Sequence, residues 1–177
     1  VSAPGAAVLA GLLADTPVQT VGDLPIKALR QRAIEELNLL EKASSSCEAA
    51  LVAHYLHDGG NNLKTVAVNA KLNLTEQMCC GAESLDLAAM EILPAHMPLV
   101  AAVICISTAL SEVNLSTNKC FGTKDGEHRG RGVYEQIHDI DKDQSGWSAL
   151  CDALPGSPVE ELVVADIGMG VTGVTSL

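Results

Sequence analysis

His57-Asp58-Gly59-Gly60-Asn61-Asn62 is the corner on which the reading of this chain turns. Paired glycines accept positive φ and asparagine nearly does, so such a run ends one helix and starts another. Upstream, from Pro25 to His57, there is no glycine and no further proline. Asp23 offers a capping carboxylate, and Pro25 falls in the first turn, where its missing N–H costs nothing. Apolar side chains recur at Ile26, Leu29, Ala33, Leu37, Leu40, Cys47, Leu51 and Tyr55, with Ser44 filling one step. Steps of three and four mark one face of a helix. A helix over residues 25–57 is a rod of roughly 50 Å. Downstream, Leu63, Val66, Ala70, Leu74, Met78, Ala82, Leu85, Ala89 and Ile92 form a second stripe over 63–93, ended by Pro94 and Pro98.

Two long helices joined by a tight turn lie antiparallel. Residues 98–114 are apolar nearly all round and fill the third place against the pair, although Val103-Ile104-Cys105-Ile106 also fits a buried strand. Residues 118–177 read as a loop-rich cap with short helices, over 133–140 and 158–167; another short helix fits Ala6–Leu13. The expected fold is therefore all-α: one elongated helical ectodomain, 1–177, on a long antiparallel helical hairpin with a disulfide-pinned loop region.

Composition narrows the function classes. Aromatic residues make up 2% of a chain that is 47% hydrophobic, which suits close-packed helices better than a ring-lined ligand pocket. A formal charge of −11 with no basic stripe removes nucleic acid as a partner. The longest apolar run, Pro98–Leu110, falls short of the ~20 residues of a membrane span. Membrane attachment would need an anchor outside these residues.

Cys47, Cys79, Cys80, Cys105, Cys120 and Cys151 form an even set, consistent with three bridges and an oxidising compartment. A first residue of Val1 and the sequons at Asn73 and Asn114 point the same way, towards an extracellular or cell-surface location. With the corner near residue 60, Cys47 faces Leu72 and not Cys79. Cys79 and Cys80, about 100° apart on a helix, then reach different partners among Cys105, Cys120 and Cys151.

The sharpest chemical motif is Asp141-Lys142-Asp143-Gln144-Ser145-Gly146-Trp147. It resembles the first half of an EF-hand loop, with Asp141, Asp143 and Ser145 at positions 1, 3 and 5, Gly146 at the turn and Asp152 at position 12. Position 12 departs from the usual glutamate, and no second copy exists. An Asx-rich turn capping a short helix explains the same residues. His54 and His57 share a helical face near Asp58 without further metal ligands. Cys120 with His128 is the one thiol–base pairing available, in surroundings that read as a tethered loop. Gly168-x-Gly170-x-x-Gly173 has dinucleotide-loop spacing but no helix after it. No catalytic residue and no cofactor is assigned.

The helical hairpin, the alanine-rich and ring-poor stretches Glu48–Leu56 and Ala82–Met90, the scattered cysteines and the sequons together resemble trypanosome surface-coat proteins, namely the variant surface glycoproteins and the alanine-rich insect-stage coats. The resemblance covers about residues 25–115 and is architectural. It implies a membrane-tethered rod that self-associates in a surface layer, protective or host-interacting, and not an enzyme. A calcium- or ligand-binding extracellular module using the 141–152 loop is the alternative.

Overall fold

A two-residue alternation, not one continuous helical stripe, breaks up the residues of the expected hairpin. In Glu36-Leu37-Asn38-Leu39, Leu37 and Leu39 are buried while Glu36 and Asn38 are exposed. Alternate side chains of an extended chain point to opposite faces, so this pattern selects a strand. The same pattern returns at Val66/Val68, Leu72/Leu74, Leu85/Leu87 and Val113/Leu115, all buried.

A computed structural model describes residues 3–14, 16–40, 45–57, 62–123 and 139–177. Its strands are β1 (Glu36–Asn38), β2 (Thr65–Ala67), β3 (Asn73–Thr75), β4 (Ser84–Asp86), β5 (Glu112–Asn114) and β6 (Glu161–Val163). They form two sheets in the orders β1-β2-β3 and β4-β5-β6. Every pairing is parallel except β2 with β3. The helices are α1 (Ala3–Ala14), α2 (Ile26–Arg30), α3 (Ser46–His57), α4 (Glu76–Cys80), α5 (Met97–Ile106), α6 (Ser145–Ala153) and α7 (Val171–Thr175).

Parallel neighbours need a crossover, and here α3, α5 and α6 supply it. α3 packs on α5 and α5 on α6, so the helices form a layer behind the strands with one shared core. Residue 36 pairs with 65, 84 with 112 and 112 with 161. One strand–loop–helix unit thus takes about 28 residues, a length typical of a solenoid repeat, and the β5–β6 unit carries about 20 more.

The repeat is written in the backbone as well as in the spacing. Leu39 N–H donates to Ala67 O, Leu87 N–H to Asn114 O and Leu115 N–H to Val163 O, one rule at all three parallel contacts. Asn38, Asp86 and Asn114, each the third residue of its strand, accept from the N–H two residues on. Ala89, Thr117 and Asp166, each five residues after its strand begins, all have φ between 56° and 59°. Three non-glycine residues share a left-handed conformation because the turn leaving each strand is the same turn.

The amino end is closed by side-chain bonding. The Arg30 guanidinium donates to the carbonyls of Leu13, Thr16 and Val18, tying the end of α1 to α2. At the other end Trp147 stacks 5.1 Å from Phe121 and donates Nε1–H to Gly173 O, which holds α7 against α6.

These findings correct the all-α hairpin. The expected 25–57 helix stops at Arg30, Arg32 takes φ 53°, and β1 follows before α3 begins. The expected 63–93 helix is β2, β3, α4 and β4. Leucines at steps of three and four also fall at steps of two when Leu-x-Leu pairs occur, and burial of both members decides for strand. Within 98–114, α5 is helical, including Val103–Ile106, and β5 ends the segment. Residues 158–167 hold β6 in place of a helix, while 133–138 lie outside the described residues. The expected bridges are not formed either: all six cysteines are free thiols. The coat-protein resemblance stands on the hairpin and is not carried forward.

Candidate recognition face and the cavity beside it

Helices cover one face of the strands and leave the other open. Glu36, Asn38, Ser84, Asp86, Glu112 and Glu161 are exposed there, opposite the buried Leu37, Leu85 and Val113. Glu35, Glu83 and Glu160, also exposed, immediately precede β1, β4 and β6. Glu112 and Glu161 are register partners on adjacent strands. Like charges directly opposite each other destabilise a sheet, so Glu112 and Glu161 are a local cost to this one, while Glu35 is paired with Lys64.

At the carboxyl ends of β2, β4 and β5 the exit loops converge on a cavity of about 370 Å³. Asn69, Glu91, Leu93, His96, Thr117, Asn118 and Lys119 line it. Asn118 is its structural keystone. Its amide donates to Leu87 O and Leu115 O at 2.8 Å each, and its carbonyl accepts the Ile92 N–H at 2.9 Å. One side chain thereby joins the exit turns of two successive units. Asn69 does related work nearer the surface, donating to Met90 O and Glu91 O and accepting from Lys71 and Leu72 N–H.

His96 is buried, and burial pushes its pKa below the ordinary 6.5. Its Nδ1 accepts the Leu93 N–H, which fixes the neutral ring with its proton on Nε2. The hydrogen bond from Lys71, with Lys71's charge, holds Glu91 below the usual carboxylate range. The cavity thus offers a neutral imidazole, a carboxylate already paired with lysine, and two asparagines engaged with backbone. It presents no activated nucleophile.

The residues singled out in the sequence take other work. Asp141 accepts from Gly170, Thr172 and Gly173 N–H, and these bonds, led by Gly170, hold its carboxyl below 3.8. Asp143 accepts from the Ser145 hydroxyl and N–H, which depress its pKa likewise. Asp152 is exposed on α6. Among the described residues no group of three His, Cys, Asp or Glu gathers as a metal site. Gly146 is buried inside α6, where a Cβ would meet Pro94 O at 2.2 Å, so close packing explains that glycine.

Burial pushes Cys79 and Cys120 up to about 12, and Cys80, Cys105 and Cys151 are also raised, chiefly by burial. Cys47 is half-buried on α3. His54 is half-buried and His57 exposed at the end of the same helix, while Asp58 and His128 lie outside the described residues. Asn73 is exposed on β3; Asn114 is half-buried on β5 with its carbonyl engaged by Ser116 N–H.

Asn118 is the functional-looking residue that periodicity missed. Its signal was present: Val113-Asn114-Leu115-Ser116-Thr117-Asn118-Lys119-Cys120 places apolar, apolar, Asn and Cys at steps of two, three and two. No protein-family model, curated protein or solved structure matches this chain.

Proposed function

We propose that this chain is a recognition scaffold, a short solenoid of leucine-rich-repeat type that binds a basic protein partner on its open strand face. The observation that carries the reading is Asn118. Val113-x-Leu115-x-x-Asn118-x-Cys120, with the asparagine buried and bonded across two exit turns, fits that repeat's pattern L-x-L-x-x-N/C-x-L with Val and Cys in place of the first and last leucine. Solenoids of this kind build a continuous surface from equivalent positions of successive units. Here Glu36, Asp86, Glu112 and Glu161 make four of those positions acidic, and complementary charge speeds encounter and selects partners more than it adds affinity.

A labelled lysine-rich peptide tests the reading by fluorescence anisotropy. Binding should weaken steeply with salt and disappear in the double variant E112K/E161K, whose circular dichroism stays that of the parent. The helix-side variant D152K should bind as the parent does. Equal binding by parent and E112K/E161K would sink the proposal.

A further inference from the structure

The contact between successive units follows a fixed set of backbone bonds, and β6 presents half of that set unfilled. At each earlier parallel contact the N–H of the fourth residue, counted from the strand start, donates forward: Leu39 to Ala67, Leu87 to Asn114, Leu115 to Val163. The sixth residue does the same from β4 and β5, Ala89 to Ser116 O and Thr117 to Ala165 O. The carbonyl before each strand accepts twice: Glu35 O from Lys64 and Thr65, Glu83 O from Ser111 and Glu112, Ser111 O from Glu160 and Glu161. The equivalents on the last strand are Val164 N–H, Asp166 N–H and Glu160 O. Among the described residues none of the three has a partner across that edge.

Side chains repeat the message. Leu85 and Val113 are 3% and 0% exposed, whereas their counterpart Leu162 is only half-buried, as are Val164 and Met169. Val171, Val174 and Leu177, which follow in the chain, are openly exposed at 83%, 56% and 59%. A strand edge whose donors and acceptor lack partners among the described residues is a template for pairing, although Glu160, Glu161 and Asp166 place charge along it.

We propose that the β6 edge is a stacking surface for one further unit of this same strand–loop–helix kind, its strand laid parallel to β6. The interface already made between β4 and β5, and again between β5 and β6, continues outward through the same donors and acceptors. The proposal rests on the solenoid reading but not on the acidic face.

The test appends a copy of residues 84–111 after Leu177, through a polar linker that sets the copied strand about 28 residues beyond Glu161. The control carries the same extension with its two strand leucines changed to lysine. Hydrogen exchange at Val164 and Asp166 should slow by about tenfold or more in the extended chain relative to the control, with a higher Tm. Equal exchange in both would overturn the proposal. Concentration-dependent protection of these amides in the unextended chain, with a dimer in solution, would overturn it too by making a second copy the occupant. Leu87 and Leu115 amides serve as the internal reference. If they exchange freely, the solenoid reading itself has failed, an outcome separate from failure at the edge.

Discussion

The two sheets begin alike and end differently. From β1 to β2 and from β4 to β5 the chain makes the same parallel step with the same forward donor, Leu39 in one case and Leu87 in the other. Beyond β5 the rule continues, through Leu115 to β6. Beyond β2 it breaks. Val68 N–H, which stands where Leu39, Leu87 and Leu115 stand, donates to Leu72 O. Residues 69–72 turn the chain back, and β3 fills the place of the next parallel strand. A solenoid is therefore a sequence of local choices, each made by which acceptor reaches one N–H first. The first sheet has a local hairpin closing over itself, and the second has long-range contacts secured by a buried asparagine. The regular half should open only with the whole molecule, and the interrupted half before it.

Thiol labelling compares the halves most sharply, because each has one buried cysteine. Cys79 lies on α4, after β3, and Cys120 follows β5. A shift from 9.0 to about 12 makes the folded-state thiolate roughly a thousandfold rarer at neutral pH, so both must wait for opening. In dilute urea Cys79 should react with an alkylating reagent well before Cys120, while Cys80, exposed beside it, reacts at once. Simultaneous labelling of Cys79 and Cys120 would show a single cooperative unit and dissolve the contrast.

The asparagines give the next largest difference. Asn118→Ala strands the Ile92 N–H and two carbonyls in a buried site, a loss of about 2–3 kcal/mol. Asn69→Ala removes four bonds, but those groups lie nearer the surface, and a loss of about 1 kcal/mol is expected. Urea midpoints of the two variants should differ in that order. Equal midpoints would mean Asn118 is not the keystone of the regular half.

Much of this was visible in the residues, though not by the period used to read them. The ten residues Met97–Ile106, without a polar side chain, mark the α5 segment as buried but leave helix and strand both open. The strands carry no such mark, because each is three residues long and its Leu-x-Leu core overlaps a helical step of three or four. Leu37 and Leu40 fit a helix; Leu37 and Leu39 fit a strand, and only burial shows that Leu40 is exposed. The corner at 58–61 drew attention to glycine, yet the turns that set the fold use Ala89, Thr117 and Asp166, residues with no turn signature among them save the aspartate. At Asp141 an Asx-rich turn is the local reading, but the donors to its carboxylate are backbone N–H groups about 30 residues away, a distance that no local motif encodes.

That long-range tie gives a pH test of the regular half's carboxyl end. Asp141's folded pKa lies below its ordinary 3.8, so its contribution is fully present above that value and is lost as pH falls below it, through the folded value. Tm measured from neutral pH downward should therefore fall more steeply in the parent than in D141N, which starts lower and loses only what Asp143 and other carboxylates provide. Parallel curves for the two proteins would show that Gly170, Thr172 and Gly173 are not held by charge.

The smallest effect is also the cleanest comparison, because one substitution is made at one repeat position in both halves. Ala89 stands five residues after the start of β4 and has φ 56°; Ala70 stands five residues after the start of β2 and has no positive φ. Both are exposed, so neither change removes packing. A left-handed alanine costs about 1 kcal/mol that glycine does not incur, while glycine costs roughly 0.5–1 kcal/mol in unfolded-chain entropy. Ala89→Gly should therefore be neutral to stabilising by a few tenths of a kcal/mol, whereas Ala70→Gly should be destabilising by about 0.5 kcal/mol or more. The sign difference, read as urea midpoints at constant m, follows only if β4's exit turn obeys the repeat and β2's does not. Two variants shifted in the same direction would place both turns under one rule, and the fold-back at β3 would then need a cause other than the loss of that turn.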